Sequence, residues 1–245
     1  KLKMMRNKYI NTLLSPSNVL KAIIGVNIVM YLVSLALSGK GVNLSLNPFS
    51  ALSPSTKALV FLGASGTFPI ATFGNWWSVI TANWLHGSLL HIIFNMLAIR
   101  TLAPLIMQEF GILRMFSIYT LSGAAGFLLS VFGNVSLTIG ASAGICGLIG
   151  AAMYFGKSAG GPWGALVYKQ TSGWVMMLIL IGFLMPNINN WGHAGGFVSG
   201  IALAWIFKYL NQRRENPLDY ILAISLGALT LWLLMTSVVK GILLA

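Results

Sequence analysis

Long uncharged apolar runs, separated by short polar or glycine-rich breaks, dominate this chain. A bilayer crossing needs about 20 predominantly apolar residues in a row. On that scale the pattern predicts seven helices, at about 19–38, 86–106, 111–133, 140–156, 172–186, 191–210 and 219–243, the fourth of them short and rich in glycine. The breaks fall at Asn134 to Ser136, Gly160 to Gly164, Pro186 to Asn190 and Gln212 to Pro217. The stretch 39–85 is long for a bundle connection and contains KALVFLGA, which is apolar but too short to span, as in an interfacial or re-entrant segment. The expected fold is all-α, a polytopic transmembrane bundle. It divides into a tail 1–18, a six-span core 19–210, and a linker with a seventh helix over 211–245.

Composition agrees. The 245 residues are 57% hydrophobic and 7% charged, whereas globular domains carry roughly 25% charged residues. The net charge of +12 raises a nucleic-acid partner, but the basic residues form no single patch. They lie between spans, where lysine and arginine set topology. Lys1, Lys3, Arg6, Lys8, Lys21, Arg100, Arg114, Lys157, Lys169, Lys208, Arg213 and Arg214 fall on one side, and Lys40, Lys57 and Lys240 on the other. The N-terminus is therefore expected in the cytoplasm and the C-terminus outside. The short basic tail and the lack of a transit-like leader point to a bacterial plasma membrane.

Ionisable groups within the hydrocarbon are expensive, so each is a functional candidate. The three histidines, His86, His91 and His193, all fall near outer span ends. His91 and Asn95, four apart in HGSLLHIIFN, share a helix face. Structural glue between helices is the bland alternative; three histidines at one depth beside Asn95 and Ser142 argue against it. A metal site is disfavoured, because His86 and His91 are five apart and no carboxylate lies on their side.

The fourth helix opens GASAGICGLIGA, with Ser142 at its N-terminus. Unpaired N–H groups and the positive dipole end there can hold an oxyanion, although a serine N-cap alone would look the same. The sixth helix, WGHAGGFVSG, carries His193, Gly196 and Gly200 on a small-residue face; Gly140, Gly144, Gly147 and Ala151 give the fourth helix a similar one. Close packing of these faces would bring His193 to Ser142, a base to a nucleophile. The acidic residues, Glu109, Glu215 and Asp219, all fall on the inner side, so the topology excludes a Ser-His-Asp triad.

The combination of HGSLLHIIFN, GASAGICG and GHAGGFVSG resembles the rhomboid family of intramembrane serine proteases, in its six-plus-one form. The resemblance implies Ser142 as nucleophile and His193 as general base and acid. His91 and Asn95 would help bind the oxyanion, His86 would hold the preceding loop, and the fifth span with the 186–191 loop would gate substrate entry. No cofactor is required, and the partners would be transmembrane protein substrates within the lipid bilayer, not nucleic acid. Two departures stand out. NWWS places Ser78 after Trp77 where the family often has a Trp-Arg pair, and Cys146 occupies the position where an aromatic commonly stacks on the catalytic histidine. The alternatives are a non-catalytic binding relative, or a transporter with polar residues through the full depth of its spans.

Overall fold

A computed structural model describes residues 15–185 and 188–244, so most of the expected tail lies outside the described residues. Among these residues the architecture is all-helical apart from two isolated β-bridges. The long helices are α1 (Pro16–Ser38), α5 (Leu89–Phe110), α6 (Ile112–Phe132), α7 (Ser142–Ala159), α8 (Gly161–Leu184), α9 (Asn190–Phe207) and α10 (Pro217–Leu244). Three short helices, α2 (Thr56–Phe61), α3 (Thr67–Phe73) and α4 (Ser78–Thr81), occupy the long connection after α1. Five helices (α1, α5, α6, α8 and α10) are long and apolar enough to cross a membrane. The other two, α7 and α9, have 18 residues each and form the centre of the bundle.

Capping chemistry explains several boundaries. Ser15 accepts from the Asn18 N–H and Pro16 opens α1, where a missing N–H costs nothing. Ser88 accepts from the His91 N–H at 3.3 Å and fixes the start of α5. His86 therefore lies in the loop ahead of this helix, not in its first turn as the apolar pattern suggested. The expected break at Gly160–Gly164 contracts to one turn around Gly160, after which Pro162 sits in the first turn of α8. That helix starts about ten residues earlier than predicted, and Lys169 rides on it.

The segment KALVFLGA also departs from expectation. It forms α2 and the following turn, with Ala58, Leu59, Val60, Leu62 and Ala64 buried, packed against α1 and α10. The exposed apolar residues of this connection flank that segment, with Leu44, Leu46 and Phe49 before it and Phe68, Phe73 and Trp76 after it. Short-range hydroxyl contacts hold the rest: Thr81 Oγ1 donates to Gly63 C=O at 2.9 Å, and Ser78 Oγ to Ser65 Oγ at 3.2 Å. Ser78, which stands where the family often has arginine, thus anchors the loop by a neutral bond.

At the centre, α7 and α9 approach backbone to backbone. A Cβ on Gly196 would collide with the Ala143 carbonyl, and one on Gly200 with the Gly147 backbone. The α7 face in this contact is Ala143, Gly147 and Gly150. Gly144, expected on that face, turns toward Tyr119 of α6 instead. The α6 helix joins the same contact, where Gly126 meets both the Gly192 carbonyl of α9 and Ala143 of α7. At the opposite end of the bundle, α10 is docked by a charged cluster. The Arg114 side chain is fully buried, and all five of its donors are used. They reach Asp219 and the carbonyls of Lys208, Arg213 and Arg214. Glu215 accepts from the Leu113 and Arg114 N–H groups at the start of α6.

Candidate active site

Ser142 is the first residue of α7, and His193 stands one turn into α9. The close glycine contact between the two helices brings His193 Nε2 to 2.9 Å from Ser142 Oγ. For the imidazole to accept the serine proton, Nε2 must be unprotonated and the ring proton must sit on Nδ1. Nδ1 is buried and has no hydrogen-bond partner among the described residues. A cavity of about 660 Å³ surrounds the pair, lined by His91, Thr138, Ser142, Asn189, Trp191 and His193 among others.

His91 contributes a directed donor. The Gly87 N–H donates to His91 Nδ1 at 3.3 Å, so the neutral ring carries its proton on Nε2. Gly140 has φ +124°, a conformation that favours glycine. A Cβ there would stand 2.6 Å from His91 Nε2. The strained glycine therefore clears the space into which this donor points. Asn95, one turn deeper on α5, is buried, and its Nδ2 has no partner among the described residues; it does not line the cavity. His86 is fully buried, with its ring edge-on to His91 at a centroid distance of 5.1 Å. The five-residue spacing would turn the two rings apart on a continuous helix. Because His86 precedes the helix, the chain is free to fold its ring back onto His91.

Cys146 is buried beside the dyad and lines a second, apolar cavity of about 330 Å³ with Val175, Ile179, Phe183, His193 and Phe197. No aromatic ring stacks on His193 from this position. Among the described residues, no group of three His, Cys, Asp or Glu side chains is placed to hold a metal ion.

A sequence profile of the Rhomboid domain matches residues 73–210, more than half of the chain. The chain belongs to the rhomboid family. RHOMBOID-like protein 1 of Arabidopsis thaliana is 32% identical over 185 residues, covering 69% of this rhomboid and 45% of the relative. Rhomboid protease GluP of Bacillus subtilis is 32% identical over 157 residues, 62% of this chain and 30% of the relative. Inactive RHOMBOID-like protein 8 of Arabidopsis thaliana is 32% identical over 181 residues, 71% of this chain and 50% of the relative. This rhomboid thus spans half or less of the length of these relatives.

Two asparagines that sequence reasoning passed over hold the site of this rhomboid together. The N-cap position of α7 is Ala141, which has no side-chain acceptor. Asn83, 61 residues away, accepts from the Gly144 N–H at 3.3 Å in its place. Asn189 caps α9 by accepting from the Gly192 N–H at 2.9 Å. An asparagine ahead of a glycine-rich helix was the only available signal for Asn189. Asn83 had none, because its partner is remote in the chain.

Proposed function

We propose that this rhomboid is an intramembrane serine endopeptidase that hydrolyses a peptide bond near the outer end of substrate transmembrane helices. The supporting observation is the 2.9 Å contact between Ser142 Oγ and His193 Nε2 inside a cavity large enough for an extended peptide. In this mechanism His193 takes the Ser142 proton as Oγ attacks the substrate carbonyl carbon. The oxyanion is met by the Ser142 backbone N–H at the helix N-terminus and by His91 Nε2–H. Asn95, a turn deeper on the same α5 face, has an unpaired amide donor but stands behind the cavity wall, so it joins them only if its side chain moves. Collapse of the tetrahedral intermediate breaks the C–N bond, and His193 returns the proton to the leaving amine. Water, deprotonated by the same imidazole, then attacks the ester carbonyl and releases Ser142.

A substrate helix must unwind before its peptide bond can reach Ser142. Gly, Ser or Pro near its outer end makes unwinding cheapest. The distribution of basic residues supports an orientation with the Arg114 end in the cytoplasm and the dyad toward the outside. The likeness to Inactive RHOMBOID-like protein 8 keeps a non-catalytic binding role as the second reading. The presence of both Ser142 and His193 in contact favours the enzyme.

The test is cleavage of a single-span reporter substrate by purified protein in liposomes. Wild type is expected to cut it, and Ser142→Ala and His193→Ala are expected to leave it intact. Undiminished cleavage by Ser142→Ala would overturn the assignment. A fluorophosphonate probe is expected to label wild type at Ser142 alone.

A further inference from the structure

Among the described residues no carboxylate and no stacked ring holds His193, and its Nδ1 has no partner, yet its imidazole sits within hydrogen-bond reach of Ser142. Asn189 supplies the missing constraint. It is half-buried at the entry to α9, and all three of its carboxamide groups, the oxygen and the two N–H, are bonded. Oδ1 accepts from the Gly192 N–H at 2.9 Å, and the two Nδ2 hydrogens go to Ser130 Oγ and Thr138 Oγ1, each at 2.7 Å. Those partners lie on different elements. Ser130 is near the end of α6 and donates to the Gly126 carbonyl at 2.8 Å. Thr138 lies in the segment leading into Ser142, and its backbone exchanges two hydrogen bonds with Ser65, Thr138 N–H at 2.8 Å and Ser65 N–H at 3.0 Å.

The register of these contacts matters. Asn189 stands four residues ahead of His193, and Thr138 four residues ahead of Ser142. The Asn189–Thr138 bond and the His193–Ser142 contact therefore join the same two segments with the same offset of 51 residues. One cross-link fixes the approach of the two segments a turn before the other uses it. We propose that Asn189 is the positioning residue of the dyad, acting through Thr138 and Ser130 to set the distance between His193 and Ser142. Among the described residues its side chain hydrogen-bonds to neither Ser142 nor His193. This inference rests on the endopeptidase reading for its kinetic consequence, but not for its geometric one.

Two measurements separate them. Nitrogen-15 NMR on histidine-labelled protein has only three side chains to resolve. Ser142→Ala identifies the His193 signal by changing its Nε2 shift. Asn189→Ala is expected to move or broaden that same signal and to leave those of His86 and His91 in place. In the liposome assay, Asn189→Ala is expected to lower kcat by roughly tenfold to a hundredfold, the scale of a misplacement near 1 Å, with KM within about twofold. Thr138→Val and Ser130→Ala are milder, and each combined with Asn189→Ala is expected to add little to the single loss. They also keep the test open where Asn189→Ala folds poorly. Asn189→Asp, which preserves the acceptor for Gly192 but not the donors, is expected to recover only part of kcat. A His193 signal unchanged in folded Asn189→Ala would overturn the positioning role. So would kcat within about twofold of wild type, or fully additive losses. Failure of wild type to cleave or label would instead sink the endopeptidase reading, with the NMR comparison still deciding the role of Asn189.

Discussion

Two polar clusters interrupt this apolar bundle, and they are built on opposite plans. At one end, Arg114 and Asp219 are charged, buried and saturated with hydrogen bonds. At the other, Ser142, His193, His91 and Asn95 carry no fixed charge, and two of their buried nitrogens, His193 Nδ1 and Asn95 Nδ2, are unpaired among the described residues. A buried ion is tolerated only when its whole bonding capacity is met. The Arg114 cluster meets that condition and is suited to docking α10 on α6. Neutral groups with spare capacity cost less to bury and remain available for charge that develops only in a transition state. One cluster serves the fold, and the other is the one the proposed function assigns to chemistry.

Substitutions at the two ends should therefore fail in different ways. Ser142→Ala is expected to drop reporter cleavage to background, a loss of at least about 10³-fold, while the midpoint of thermal unfolding in detergent moves little. Asp219→Ala is expected to do the reverse. Leaving Arg114 uncompensated costs about 3–5 kcal/mol of stability, read by denaturant titration in mixed micelles, with the surviving folded fraction still labelled by fluorophosphonate. Gly200→Val joins the two failures, because a side chain there pushes α9 off the Gly147 backbone. It is expected to cost about 1–3 kcal/mol and to lower cleavage by more than the loss of folded protein explains. The smallest effect is expected for Asn83→Ala, which removes the remote cap of α7 at about 1 kcal/mol, with a modest fall in kcat. If Asp219→Ala abolished labelling in fully folded protein, the separation of the two clusters would be wrong.

Much of this was legible in the chain because bilayer physics makes spans visible as long apolar runs. The family followed from three motifs, GASAGICG around Ser142, GHAGGFVSG around His193 and HGSLLHIIFN around His91. What escaped depended on contacts remote in sequence. The true α7 face toward α9 turned on Tyr119 claiming Gly144, and the burial of KALVFLGA on the arrival of α10. Asn83 and Asn189 look like ordinary polar residues until their partners are known. The expectation of a bacterial membrane found no support, since relatives of like identity come from Arabidopsis as well as Bacillus.

The second half of α8 offers a last consequence. Its buried residues, Gly164, Val167 and Thr171, all lie in its first half. Beyond them, one side-chain hydrogen bond fastens the far end to α9, from Asn190 Nδ2 to the Gly182 carbonyl at 2.9 Å, and it is exposed. The helix has 24 residues, about 36 Å of rod at 1.5 Å per residue. At that length a tilt of about 5° at Gly160 would sweep the tip by about 3 Å. Moving the tip breaks that exposed hydrogen bond, about 1 kcal/mol, and also draws the half-buried Trp174, Val175 and Leu178 away from the core.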